Sequence, residues 1–158
     1  MKGAMPMANH SAMEVAKWFL ATNKIYVAEE GAELISNMKL QKLLYYAQGS
    51  FLAVTGEPLF DAPIKAWSHG PVVEEVYHAY KEHIANGIEF DEDFDFDAFS
   101  PEENNLLQEV YSVFGQYSAW KLRNMTHNET PWQSTARNAV IDQAVIKDYF
   151  EREYLAVA

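Results

Sequence analysis

The chain predicts a mostly α fold with a minor β part (α+β): a single helical domain of about six to seven helices with a small β element between the second and third. Three observations carry this expectation. Apolar residues recur at helical spacing along most of the chain. Ser11, Ser100 and Ser118 each stand directly ahead of such a segment, as helix caps do. Between the second and third helical patterns lies a stretch bracketed by Pro58 and Pro63 whose apolar runs are too short for helices.

Residues 1–10, MKGAMPMANH, are expected to form a loose tail without the apolar run of a signal peptide. Ser11 and Glu14 make a capping box, and behind it Ala12, Ala16, Phe19, Leu20, Asn23 and Val27 form one helical face that Gly31 closes. The second helix opens at Ser36 or Asn37 and runs to Gly56. Its apolar stripe is Leu40, Leu43, Leu44, Ala47, Phe51 and Val54, with Gln41, Tyr45 and Gln48 beside it. Gly49 inside this helix costs up to about 1 kcal/mol against Ala, which a close helix crossing would explain. Thr55 to Pro58 is a turn, and Leu59–Phe60 and Ile64 to Trp67 read as short extended segments.

His69-Gly70-Pro71 is expected to open the third helix, since proline suits the first helical position. Val73, Val76, Tyr77, Tyr80 and Ile84 would then point inward, and Gly87 would end it. Residues 88–99 alternate apolar and acidic, which suits an extended strand with Phe90, Phe94 and Phe96 on one side, or an ordered acidic loop. Ser100-Pro101-Glu102-Glu103 is the clearest helix start in the chain, followed by Leu106, Leu107, Val110, Tyr111 and Phe114 and closed by Gly115. Ser118 caps a shorter helix with Ala119, Leu122 and Met125 or Thr126 inward. Pro131-Trp132 starts a further turn or helix, and a last helix spans about Asp142 to Leu155 around Val145, Ile146, Tyr149 and Phe150.

Composition narrows the function classes. The 158 residues suffice for one core, and the absence of cysteine removes zinc ribbons, redox motifs and thiol catalysis. No segment approaches the ~20 apolar residues of a membrane helix, so a cytoplasmic protein without membrane contact is expected. The net charge of -11 is unevenly placed: ten of the 23 carboxylates and none of the 12 Lys and Arg fall between Glu82 and Trp120. Clustered Lys and Arg, which phosphate backbones require, are lacking, so nucleic acid is not the expected partner. The acidic segment is either a solvated loop or an attractor for a basic protein.

No catalytic, cofactor or metal motif is legible. Glu74 and His78 lie four apart on one helix face, and His69 is the nearest third donor, but H-E-x-x-H is absent. His127 is read as stitching two helices together, as touching a partner, or as a general base with Glu129. A metal-dependent hydrolase built on these groups is the rival reading. Trp67, Trp120 and Trp132 belong to the core or to an interface. Lys42 and Lys81 sit on otherwise neutral helices, where surface ion pairs with Glu are worth about 0–1 kcal/mol.

Several separated runs then occur in a fixed order: L-Q-K-L-L-Y-Y-A-Q-G (40–49), G-E-P-L-F (56–60), I-K-A-W-S-H-G-P-V-V (64–73), V-Y (76–77) and T-H-x-E-x-P-W (126–132). The pattern resembles the Panacea antitoxin domain, also described as SocA-like or phage-associated GepA-like, over about residues 36–135 and plausibly over all of 11–158. The resemblance implies a protein that is not an enzyme and that binds and neutralises a cognate toxin, or, as the alternative, an adaptor that passes its partner to a protease. The motif positions that the resemblance carries over are Gln41, Lys42, Tyr45, Trp67, Gly70, Pro71, Val72, Tyr77, His127, Pro131 and Trp132, with Gly70 and Pro71 structural; together with the polar residues beside them the candidate partner surface is Gln41, Lys42, Tyr45, Gln48, Trp67, His69, Glu74, His78, Lys81, His127 and Trp132. No cofactor is implied, and neither the toxin nor the oligomeric state follows from the motifs.

Overall fold

A computed structural model of the protein describes residues 8–83 and 85–155. The expected tail over residues 1–7 and the inward position of Ile84 lie outside the described residues. His10 departs from the loose-tail expectation: it is buried, stacks on Phe99 at 3.9 Å and bonds Glu103 at 3.0 Å.

Helix α1 (Ala12–Glu30) carries both reciprocal bonds of the Ser11/Glu14 box and ends where Gly31 takes the left-handed φ of 68°. Helix α2 (Asn37–Thr55) is capped by Ser36. Every residue of α2 from Leu40 to Gly49 is buried, because α1, β2, α4, α5 and α7 all pack around it. Strands β1 (Lys65–Trp67) and β2 (Gly70–Val72) pair antiparallel in the register Lys65↔Val72, Ala66↔Pro71 and Trp67↔Gly70. Gly70 has φ +121°, a conformation only glycine adopts readily at this reversal. The outer edge of β1 is covered by the segment before α7, through Ala66 N–H to Ala139 O at 2.9 Å and Asn138 N–H to Ala66 O at 2.7 Å.

The third helix does not open at Pro71. Pro71 lies in β2 opposite Ala66, and α3 runs over Glu74–Ala79, followed by a 3-10 turn over Lys81–His83. The physical reason is non-local: Val73 N–H donates to the Gln41 side chain at 2.9 Å, so the chain stays extended until α2 has been satisfied. Gly87 does not end the helix either; it forms an isolated bridge with Ser36. Residues 88–99 form the ordered acidic loop rather than a strand, with a single 3-10 turn over Phe96–Ala98. Their alternation is real: Phe90 is buried and Phe94 and Phe96 half-buried, while Glu89, Asp91, Glu92, Asp93, Asp95 and Asp97 are exposed. Among the described residues no neighbouring strand supplies a ladder.

Helix α4 (Pro101–Phe114) has the full Ser100/Glu103 box with Pro at its start. Helix α5 (Ala119–His127) is capped by Ser118, α6 (Thr130–Gln133) is one turn, and α7 (Gln143–Phe150) continues as a π turn over Glu151–Leu155. One contiguous core joins all of these, from Val15 and Phe19 through Leu43 and Leu44 to Ile146 and Phe150. Val54, expected in the apolar stripe of α2, is 54% exposed because it lies beyond the last crossing.

Gly49 marks the α2–α7 crossing. A Cβ placed there would lie 2.4 Å from the Phe150 ring. Gly49→Ala is therefore expected to destabilise the protein by about 1–2 kcal/mol, overpacking outweighing the helix-propensity gain. Combining it with Phe150→Leu should recover part of the loss in urea unfolding; a Gly49→Ala protein more stable than the wild type would contradict the crossing.

Candidate functional site

The site is built outward from α2. Its buried polar side chains cannot reach water, so each needs an internal partner. Gln48 accepts from the N–H groups of Leu59 and Phe60, at 2.9 and 3.2 Å, and donates to Phe60 O. Gln41 accepts from Val73 N–H and donates to Asn37. Tyr45 and Tyr46 donate to opposite oxygens of Glu129, at 2.8 and 2.9 Å, and Tyr154 from the π turn donates to Glu129 Oε2 at 2.7 Å. Burial raises the Glu129 carboxyl above its ordinary range, and the three phenol bonds work against that shift. The same burial, with the carboxylate alongside, pushes the Tyr45, Tyr46 and Tyr154 phenols up.

Lys42 is the exception on this helix. It is 0% exposed, and its Nζ has no hydrogen-bond partner. Burial, with Arg123 nearby, lowers its pKa to about 7. Around it stand Gly70, Thr126, His69 and His127. The His127 ring stacks on Trp132 at 4.0 Å, and the Arg137 guanidinium lies 3.7 Å from the centroid of that indole. Trp132 Nε1 donates to Trp67 O at 2.8 Å, which ties α6 to the β hairpin. His69 and His127 are both lowered below the ordinary imidazole range, by burial first and then by the cations around them.

The structure divides the eleven sequence-selected residues. Gln41, Tyr45 and Gln48 are buried and bonded inside the fold, so they offer no face to a partner. Lys42, His69, His127 and Trp132 gather at the junction of α2, the hairpin and α5–α6. Trp67, His69 and His78 come together with Tyr77, which lies 4.9 Å from Trp67 between ring centroids. Glu74 bonds Lys65 at 2.9 Å rather than standing free beside His78, and Lys81 is exposed. Among the described residues no three His, Asp or Glu side chains meet as metal ligands. His127 and Glu129 are two residues apart, yet Glu129 is held by three phenols while His127 stacks on Trp132. Sequence reasoning missed Tyr46, Arg123 and Tyr154, and placed Tyr77 among the motif positions and the inward residues of the third helix without a role in the site. Only the Tyr45-Tyr46 pair carried a local signal, two phenols on a helix too buried to leave them unpaired.

Comparison with known proteins agrees with the motif order. The family model described as Antitoxin SocA-like, Panacea domain, matches residues 40–133. The chain is similar to the protein named Antitoxin SocA from Caulobacter vibrioides (strain NA1000 / CB15N), 31% identical over 146 residues, covering 78% of this chain and 76% of that one. No solved structure matches.

Two stability predictions follow from the interior. Glu129→Ala strands two buried phenols, Tyr45 and Tyr46, and releases the more exposed Tyr154, and should cost on the order of 3–5 kcal/mol in urea unfolding; a loss under about 1 kcal/mol would mean the carboxylate is not their anchor. Lys42 has a folded pKa of about 7, below its unfolded value of 10.5. The unfolded chain thus binds the extra proton between those values, and stability rises with pH across that window by up to about 1.4 kcal/mol per unit. Lys42→Met should be the more stable protein near pH 7 and should lose most of that slope, retaining the smaller part due to Lys39, whose pKa burial also lowers.

Proposed function

The chain belongs to the antitoxin SocA-like, Panacea domain family, and on that basis we propose that it is the antitoxin of a toxin–antitoxin pair, neutralising a cognate toxin protein by direct binding. The observation that carries this reading is the match over residues 40–133, which takes in α2, the hairpin, α3, α4, α5 and α6. The binding role is mechanical: a scaffold with a filled core covers the toxin's working surface.

A non-enzymatic role is supported by the commitments of the groups a hydrolase would use. Glu74 is paired with Lys65 and Glu129 is enclosed by Tyr45, Tyr46 and Tyr154. The toxin-facing surface proposed here is the hairpin edge and α3, where Trp67, His69, Tyr77 and His78 form an accessible aromatic group beside Lys81. Aromatic side chains dominate interface energetics because they bury large area for little lost conformational freedom. The exposed carboxylates of Glu89–Asp97 suit a basic toxin, which they would steer through long-range attraction. An antitoxin has to meet its toxin before the toxin reaches its target, so the two share a compartment, which we take to be the cytoplasm.

The test is co-expression. Each neighbouring open reading frame is induced alone and with this protein, and growth and co-purification are recorded. One neighbour should arrest growth, and this chain should restore it while co-purifying. Trp67→Ala or His78→Ala should weaken the complex, Trp67→Ala by at least about tenfold, and the on-rate should fall as salt rises. Absence of any toxic neighbour would sink the antitoxin reading. Rescue that requires a host protease would replace simple neutralisation by delivery of the toxin for degradation.

A further inference from the structure

Among the described residues three buried side-chain nitrogens have no hydrogen-bond partner: Lys42 Nζ, His69 Nδ1 and His127 Nε2. They come from α2, the hairpin turn and the end of α5, far apart in sequence. Buried polar atoms are almost always bonded to protein, water or an ion. Three exceptions in one neighbourhood therefore point to something the protein alone does not supply.

The place has a built shape. A Cβ on Gly70 would lie 2.5 Å from Lys42 Cε, 3.2 Å from Nζ and 3.1 Å from Thr126 Oγ1, so only glycine leaves the ammonium its position. The Thr126 hydroxyl donates to Arg123 O at 2.9 Å. The His127 ring is held by its stack on Trp132, itself fixed by the bond to Trp67 O. Ser68 is exposed and His69 and His127 are half-buried, so the group lies just beneath the surface.

Charge identifies what is missing. The charged groups acting on these three side chains, besides one another, are Arg123 and Arg137, both cationic. Glu129, the buried carboxylate of the same motif, is taken by three phenols. Water can satisfy the two imidazoles, but the protonated form of Lys42, half populated near pH 7, is stabilised beneath the surface only by an anion, since a buried charge is either paired or neutralised. We propose that Lys42, His69 and His127 form a binding site for a single carboxylate, received beneath the hairpin turn at Ser68-His69-Gly70. The carboxylate comes from a small acid in solution or from a side chain or C-terminus of the toxin partner. In the second case the inference deepens the antitoxin reading and rests on it.

Protonation gives the site a pH signature. Lys42 has a pKa of about 7, and both imidazoles are held below 6.5. An anion binds the protonated forms, raises their pKa values and takes up protons, so affinity strengthens as pH falls.

The experiment follows the histidine side-chain 15N resonances of the purified full chain during titration with sodium acetate. Saturable shifts at His69 and His127, absent in Lys42→Met and at least about tenfold tighter near pH 6 than near pH 8, are expected for a free acid. Lys42→Met removes a buried unpaired charge, and its fold is checked by near-ultraviolet circular dichroism. If the partner supplies the carboxylate, acetate gives no saturation, the same resonances shift in the isolated complex, and Lys42→Met weakens that complex. The proposal is overturned if acetate does not saturate and Lys42→Met leaves partner affinity unchanged, or if inorganic phosphate saturates where acetate does not. Should no toxin partner exist, the acetate titration alone decides, so failure of the antitoxin reading stays separate from failure of the site.

Discussion

Helix α2 is enclosed from Leu40 to Gly49, and each polar side chain of that stretch must therefore find a partner inside the protein. Leaving a buried donor or acceptor empty costs about 1–3 kcal/mol, a large share of the stability of a small domain. Much of the architecture answers that demand. Gln48 holds the chain at Leu59 and Phe60 as it returns from the helix. Gln41 holds Val73 extended and so decides where α3 begins. Tyr45 and Tyr46 draw in Glu129, which fixes the junction of α5 with α6, and Glu129 in turn draws in Tyr154 from the C-terminal turn. The separated motif runs are thus one network in space, with α2 as its hub.

That arrangement explains what was legible in the sequence. Ser11, Ser100 and Ser118 act on groups three residues away, and such signals survive without tertiary knowledge. Gly49 was legible as a close crossing because a glycine inside an apolar helix has few other uses, although its partner, Phe150, was not. Pro71 misled because a proline at a helix start and a proline in a short strand look alike locally. The choice between them was made by Gln41, 32 residues earlier, and by the segment around Ala139 that covers β1. Residues 88–99 left two readings open, strand or ordered acidic loop, because their alternation reports only that Phe90, Phe94 and Phe96 turn inward, and an acidic loop meets that condition without a strand partner.

Gln41, Tyr45 and Gln48 entered the candidate partner surface through the motif runs, which do not separate residues that hold the fold from residues that face a partner. On a helix surrounded by five elements all three are buried and bonded inside the fold. Trp67, His69 and His78 do lie together, but through an aromatic cluster with Tyr77 rather than through the Glu74–His78 pair. Arg123 and Tyr154 carry no local signal at all; each matters only through what it approaches.

Within the network Lys42 stands apart, and the contrast with Glu129 gives it meaning. Both are ionisable, both are buried, and both belong to the motif runs. Glu129 has three donors within hydrogen-bond distance, whereas Lys42 has neither a hydrogen-bond acceptor nor a counter-charge. A fold that satisfies Gln41, Tyr45, Tyr46 and Gln48 on the same helix has no general difficulty in placing partners. A requirement of stability alone would favour Met or Leu at position 42, since replacing a buried charge by an apolar side chain of similar volume is neutral or stabilising. The cation's partner is then to be sought outside the chain. The junction where it sits also carries Trp67, His69, His127 and Trp132, beneath the same hairpin turn. The interior bonds of α2 hold the hairpin in place, and the same helix sets its one unbonded amine, among the described residues, against Gly70 on the underside of that hairpin.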